Sequence, residues 1–242
     1  MVAPATADLS GFAAARERVL ANIADACARV GRDPADITLV AVSKTVPAER
    51  LVAAVAVGLT TLGENRVQEA ETKVGVVDGA TWHMIGPLQS NKARRAVAAF
   101  AVIESVDSVE LAERLDRMAN EVRPGERLPV LLQVNVDADA AKSGFDPDGL
   151  AAALPRLADL EHLELRGLMT VGRLVERAED ARSTFVALRE LSVRLRQLDR
   201  GGSPALGPAL SMGMSDDYQV AIEEGATIVR VGRALFGERH HP

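Results

Sequence analysis

The chain has 242 residues, 48% of them hydrophobic, which suits one large α/β domain with a sizeable core. A formal charge of −6 and a pI near 5.4 argue against a nucleic-acid or anionic-membrane surface, and the single cysteine, Cys27, excludes an internal disulfide. Aromatics make up only 3%, so the core must be Ala, Val and Leu, as in helices packed closely on a parallel sheet. Residues 1–8 lack the basic start and apolar run of a signal peptide, and no stretch is apolar for long enough to span a bilayer. The expectation is a soluble cytoplasmic protein with no nucleic-acid or membrane partner.

Apolar residues at helical spacing (Phe12, Val19, Leu20, Ile23, Cys27, Val30) predict a helix over 9–30, stopped by Gly31, with Cys27 a small core residue. Residues 37–42 are short, apolar and bounded by Asp36 and Pro47, the signature of a buried strand ending at Lys44. A helix over 47–57 follows, closed by Gly58, then a strand over 59–62 and a helix over 67–77. A third strand is expected over 81–85, a helix over 91–100 and a fourth strand over 101–106. Ser108 caps a helix running to about Val122, and Pro124-Gly125 breaks it. Residues 128–136 form the longest apolar run, a fifth strand, followed by a polar loop over 137–147 long enough to suggest function. A helix over 150–157, a sixth strand over 163–169 and an arginine-rich helix over 176–198 come next. A loop over 200–204 leads to a short strand over 209–212, a helix over 215–225 capped by Ser215 with Asp216 and Asp217 in its first turn, and an eighth strand over 227–231. A short helix follows, and His240-His241-Pro242 is read as a tail.

Eight strands, most followed by a helix, imply a parallel sheet closed into a (β/α)₈ TIM-type barrel. No linker or second hydrophobic unit interrupts it, so 1–242 is read as one domain. The segment 8–31 is an extra N-terminal helix that could cover one end of the barrel, and 238–242 is the tail.

Active sites of such barrels gather at the C-terminal ends of the strands. The residues expected there are Lys44, Asn65 with Arg66, His83, Asn135, Met169 with Thr170, Ser211 to Ser215, and Arg230, Gly232 and Arg233. A lysine at the rim of a buried strand is placed to lose water and act as a neutral amine toward an aldehyde. From its own stretch alone, Lys44 reads more simply as a lysine snorkelling into solvent. The loops after strands seven and eight offer a hydroxyl, backbone N–H groups before a helix and the small Gly232, which together suit a phosphate. Asp216 and Asp217 object mildly, since carboxylates compete for the same positive end. An amine and a phosphate cup describe a ligand carrying an aldehyde and a phosphate, and pyridoxal 5′-phosphate fits. Arg230, always charged and only a donor, would keep a pyridine nitrogen unprotonated. Asn65 or His83 could flank the ring, His83 reading equally as a satisfied core histidine.

The motifs Ala41-Val42-Ser43-Lys44, Gly63-Glu64-Asn65-Arg66-Val67-Gln68-Glu69 and Trp82-His83-Met84-Ile85-Gly86-Pro87-Leu88-Gln89-Ser90-Asn91-Lys92 stand in order along the chain. Val134-Asn135 with Lys142-Ser143-Gly144, Gly167-Leu168-Met169-Thr170, Ser211-Met212-Gly213-Met214-Ser215-Asp216 and Val229-Arg230-Val231-Gly232 follow. Through these the sequence resembles the pyridoxal phosphate homeostasis protein family, also called YggS-like, over about 9–237. The resemblance implies a fold like the N-terminal barrel of alanine racemase and a Schiff base between Lys44 and pyridoxal 5′-phosphate. It implies that Arg230 meets the pyridine nitrogen, that Asn65 lies near the ring, and that Ser215 and the backbone of Gly232 and Arg233 hold the phosphate. Arg233 departs from the family's usual threonine and so loses a hydroxyl contact, and Asp139 stands where the family usually shows glutamate.

Two functions follow. One is a vitamin B6 carrier that buffers the cofactor and passes it to apo-enzymes, working as a monomer without catalysis. The other is a racemase-like enzyme. Racemisation in this fold needs a second acid/base, which alanine racemases draw from an added domain, and this sequence has one tyrosine, Tyr218, expected on the helix after strand seven. The carrier is the favoured reading. A barrel enzyme binding a sugar phosphate without pyridoxal phosphate fits the fold but leaves Lys44 and Arg230 without a joint role.

Overall fold

The computed structural model describes residues 6–237 except 174, 198, 201, 202 and 205. Eight strands form the barrel: β1 (Thr38–Val42), β2 (Thr61–Glu64), β3 (Thr81–Met84), β4 (Val102–Val106), β5 (Leu128–Gln133), β6 (Leu163–Met169), β7 (Ala209–Ser211) and β8 (Ile228–Val231). Each is parallel to its neighbours, and the order β1-β8-β7-β6-β5-β4-β3-β2 closes on itself. Parallel strands need crossovers, and here helices provide them: α2 (Ala48–Ala56), α3 (Val67–Val74), α4 (Ala93–Ala99), α5 (Val109–Val122), α6 (Pro147–Ala158), α7 (Arg182–Arg196) and α8 (Tyr218–Glu223). Helices outside and side chains inside leave the strands covered on both faces. All five residues of β4 are therefore buried. The expected (β/α)₈ barrel is the architecture found.

Several boundaries differ from expectation for local reasons. The second strand, expected over 59–62, runs on through Gly63 and Glu64, because Val42 pairs with Gly63 on one side and Met84 with Glu64 on the other. The fifth ends at Gln133, as Val134 leaves the ladder for a bridge to Phe145 in the following loop. The arginine-rich helix starts only at Arg182, after a 3-10 turn over Ala178–Ala181, and its expected end at Leu198 lies outside the described residues. The loop expected over 200–204 contains part of a short antiparallel ladder, Asp199–Arg200 against Ser203–Pro204. The helix expected over 215–225 is only Tyr218–Glu223. Residues 215–217 form a turn instead. Gly213 enters it at φ 91°, where a Cβ would lie 2.6 Å from Ala221 Cβ, and the Met214 N–H donates to Asp217 Oδ1 at 2.6 Å. Ser215 therefore does not cap α8.

The N-terminal helix α1 (Thr6–Arg29) does not cover an end of the barrel. It lies along the wall and packs against α2, α8 and the short α9 (Arg233–Phe236) that follows β8. At its start Phe12 meets Phe236 edge-on, with ring centroids 5.4 Å apart, and Arg50 of α2 stands over the Phe12 ring. At its far end Arg29 pairs with Glu223 of α8, and Arg32 donates to the Ile222 and Ala226 carbonyls just before β8. Ala15, Val19, Ile23, Ala26 and Cys27 form its buried stripe. Cys27 is buried in the core as expected, and burial pushes its thiol up.

Because Phe12 joins α1 to both α2 and α9, Phe12→Ala should destabilise the protein by about 3 kcal/mol, the usual cost of truncating a buried phenylalanine. Chemical denaturation measures it, and a change below about 1 kcal/mol would mean that α1 is not integral to the barrel.

Candidate functional site

The barrel interior holds charge. Glu104 of β4 is fully buried, and the strand has no way to turn it outward. Its Oε1 meets His83 Nδ1 of β3 at 2.6 Å, and its Oε2 accepts from Ser211 Oγ of β7 at 2.5 Å. An ionised carboxylate only accepts, so the His83 proton in this pair sits on Nδ1. Ser211 Oγ in turn accepts from Arg230 Nη1 of β8 at 2.6 Å, and Arg230 Nη2 donates to the Thr170 carbonyl at 2.7 Å. Four strands thus join one chain of hydrogen bonds, His83–Glu104–Ser211–Arg230. Burial drives the Glu104 carboxyl up, but the His83 hydrogen bond and the Arg230 charge more than offset it and hold the group below its ordinary value. Burial lowers the Arg230 guanidinium, while Glu104 and Asp217 oppose that shift.

Above this interior, the C-terminal rim brings other groups together. Val42 pairs with Gly63, so Lys44 and Asn65 leave adjacent strands side by side. Asn65 is backed by Gly86, where a Cβ would come within 2.5 Å of the Asn65 carbonyl oxygen; only a glycine allows that approach. On the other side of β1 lies β8, and a cleft of about 150 Å³ is lined by Lys44, Thr45, Arg50, Gly232 and Arg233, among others. The Gly232 N–H donates to Ser215 Oγ at 3.2 Å, placing a backbone donor and a hydroxyl together at the start of α9. A Cβ at Gly232 would only touch Val42 in ordinary contact, so neither backbone nor packing demands glycine there. The Arg233 guanidinium turns to Asp216, and both side chains are more than half exposed. A groove of about 740 Å³ opens beyond Asn65, past Arg66, Gln68, Gln89 and Lys92.

The expected residues therefore fall into two levels. Lys44, Asn65, Ser215, Gly232 and Arg233 stand at the rim. His83, Ser211 and Arg230 form the buried network, and Met169 at the end of β6 is fully buried beside Ser211. Ser211, expected in the phosphate turn, lies on β7 and faces inward to Glu104 and Arg230, one of the alternate side chains that the strand turns into the barrel. His83 has the buried partner of a satisfied core histidine. Asn135 folds back on its own loop, bonding Asp139 through both its amide nitrogen and its oxygen. Glu104 and Arg50 were not anticipated. A lone carboxylate inside the apolar run Val102-Ile103-Glu104-Ser105-Val106 was the available signal for the first.

The alanine racemase N-terminal domain family matches residues 15–240. A pyridoxal phosphate homeostasis protein of Pseudomonas aeruginosa is 43% identical over 229 residues, 93% of this chain and 94% of that protein. The chain belongs to the pyridoxal phosphate homeostasis protein family. The structure of PipY from Synechococcus elongatus with PLP bound is 43% identical and superposes with a TM-score of 0.77, covering 89% of this chain and all of that one. Alanine racemase of Clostridium difficile superposes with a TM-score of 0.70 over 98% of this chain and 60% of that one. At 17% identity, that likeness speaks for the fold alone. Within this family barrel, the strands that bracket β1 lead into Asn65 on one side and Gly232 on the other.

A carboxyl whose folded pKa lies below its unfolded value gives stability that is complete above the ordinary glutamate range and is lost as pH falls through the folded value. Glu104→Gln should therefore destabilise the barrel near neutral pH by about 3 kcal/mol, since it takes from buried Arg230 the larger of its two counter-charges. Its stability should also fall less steeply on acidification than that of the parent. Denaturant titrations near neutral pH and in mild acid test both, and parallel acid limbs would show that Glu104 carries no depressed pKa.

Proposed function

We propose that the chain binds pyridoxal 5′-phosphate reversibly through a Schiff base at Lys44, and serves to buffer this form of vitamin B6 and deliver it to apo-enzymes. The observation that carries the reading is that Lys44, just past β1, and Gly232, just past the paired strand β8, line one cleft. The donor set fits the group. The cleft and its edge offer an amine, backbone N–H groups and a hydroxyl, and the nearby carboxylate, Asp216, is engaged by Arg233. The family's name and the PLP in the PipY structure support the same ligand.

When bound, the cofactor would supply an aldehyde able to condense with an unprotonated amine, with loss of water. The chain's own residues do the rest. Lys44 gives the amine. Ser215 and the N–H groups of Gly232 and Arg233 would hold the phosphate, the Gly232 N–H turning from Ser215 to the anion. Asn65, with the buried Met169 and His83, would line the ring's site. Arg230, held by Ser211 and Thr170, would meet the ring nitrogen, and Ser211 would act through Arg230 rather than on the phosphate. A fixed guanidinium only donates, so it would leave that nitrogen unprotonated and the bound cofactor a poor electron sink. That favours holding over turnover.

The racemase alternative needs a second acid/base at the site. The one tyrosine of the sequence, Tyr218, is buried between α8 and α1, where Asn22 Nδ2 donates to its hydroxyl at 3.0 Å. It is thus engaged away from Lys44. We read the protein as a carrier rather than an enzyme, acting as a monomeric one-domain protein of the cytoplasm. No helix among the described residues is long and apolar enough to cross a membrane. The net charge of −6 speaks against nucleic acid as a partner.

The test is a visible absorbance spectrum with added pyridoxal 5′-phosphate, before and after borohydride, for the parent and Lys44→Ala. The parent should show a Schiff-base band that borohydride fixes to the protein, and Lys44→Ala should show neither. No band in the parent would overturn the reading, as would an unchanged band in Lys44→Ala.

A further inference from the structure

Lys73 of α3 is only 4% exposed, an unusual place for an ammonium. It donates to three acceptors: the Ser43 carbonyl at 3.0 Å, Glu64 Oε1 at 2.7 Å and Glu69 Oε1 at 2.8 Å. Those are all the hydrogens an ammonium has. Two of the acceptors lead to Lys44. The Ser43 carbonyl belongs to the peptide unit entering Lys44. Glu69 Oε1 also accepts the Thr45 N–H at 2.5 Å, and that N–H belongs to the peptide unit leaving Lys44. Glu64, fully buried, adds a third tie by accepting from Ser43 Oγ at 2.6 Å.

This grip falls where the backbone resists. Thr45 has φ 68°, in the left-handed region that β-branched residues avoid. Such a conformation persists only when its surroundings impose it, and it collects at functional positions. Stability alone is a poor account of the arrangement, because a buried ion pair recovers little beyond its desolvation cost. Burial even pushes the Glu64 carboxyl up against the pull of Lys73.

We propose that Lys73, acting with Glu64 and Glu69, is a positioning device that clamps both peptide groups flanking Lys44 and so sets the direction of its amine. The inference rests on Lys44 being the Schiff-base lysine. Lys73 and Glu69 touch no cofactor in this scheme. They hold the Lys44–Thr45 turn in the conformation that points the amine into the cleft shared with Gly232.

Glu69→Ala is the decisive variant, since the side chain is 26% exposed and its loss frees the Thr45 N–H without opening the core. Lys73→Met is the stronger but riskier change. Two readouts separate positioning from general damage: the rate at which borohydride-trappable adduct forms with pyridoxal 5′-phosphate, and the affinity for pyridoxamine 5′-phosphate, which has the phosphate but no aldehyde. In Glu69→Ala the trapping rate should fall about tenfold, the worth of one hydrogen bond to a charged group, with pyridoxamine 5′-phosphate affinity within about twofold of the parent. Adding Thr45→Asn should recover most of the rate, because asparagine accepts the left-handed region more readily than threonine. An unchanged rate in Glu69→Ala, or rate and affinity falling together without rescue, would overturn the clamp. Absence of trappable adduct in the parent would instead overturn the Lys44 assignment itself.

Discussion

A carboxylate sealed inside a closed barrel must be neutralised where it stands, and Glu104 is such a group. Water cannot reach it, and a β-strand locked between two neighbours cannot rotate it out. The partners must come from other strands. His83 from β3, Ser211 from β7 and, through Ser211, Arg230 from β8 converge on it. The barrel can close only with these four strands in register, so the same constraint that satisfies Glu104 also fixes the height and aim of Arg230. The low dielectric that makes an unpaired charge so unfavourable here makes the completed network rigid.

The mouth of the barrel inherits that order. β8, which carries Arg230, also carries Gly232 to the rim, and β1 beside it carries Lys44. A second buried charge cluster, Lys73 with Glu64 and Glu69, lies on the other flank of β1 and ties α3 to the peptide groups around Lys44. Lys44 thus emerges between two rigid supports, with its cleft on one side and Asn65 on the other. A carrier needs a site that is organised before its ligand arrives, so that the binding free energy is not spent on ordering it. A wide groove also opens beside Asn65.

Much of this was legible in the sequence, and the reason is local. Strands with apolar runs and turn residues at both ends declare themselves, so Thr38–Val42 and Leu163–Met169 lay within or matched the expected segments. Rim residues follow, because they are simply what comes next in the chain. Lys44, Asn65, Ser215 and Gly232 were reached that way. The failures are local too. β2 was placed early because Gly63 and Glu64 do not look like strand, and they become one only through pairing on both sides. Ser215 was taken for a helix cap because Asp216 and Asp217 imitate a helix start. The helix begins later, since Asp217 spends its carboxylate on the Met214 N–H in the preceding turn.

Local sequence already carries the alternation of strands and helices, the closed parallel barrel that alternation implies, and the residues that follow each strand end, Lys44 and Asn65 among them. Each depends on neighbours in the chain and on periodicity, which a linear reading holds. The tertiary structure decided what those side chains do for one another. Only closure of the barrel sets Ser211 between Glu104, 107 residues away, and Arg230, or lays α1 along the wall instead of across an end. Only the docking of α3 beside β1 puts the Lys73 ammonium against the Ser43 carbonyl, 30 residues away. Buried charge is stabilised by partners in space, and partners in space are what a linear sequence leaves unstated.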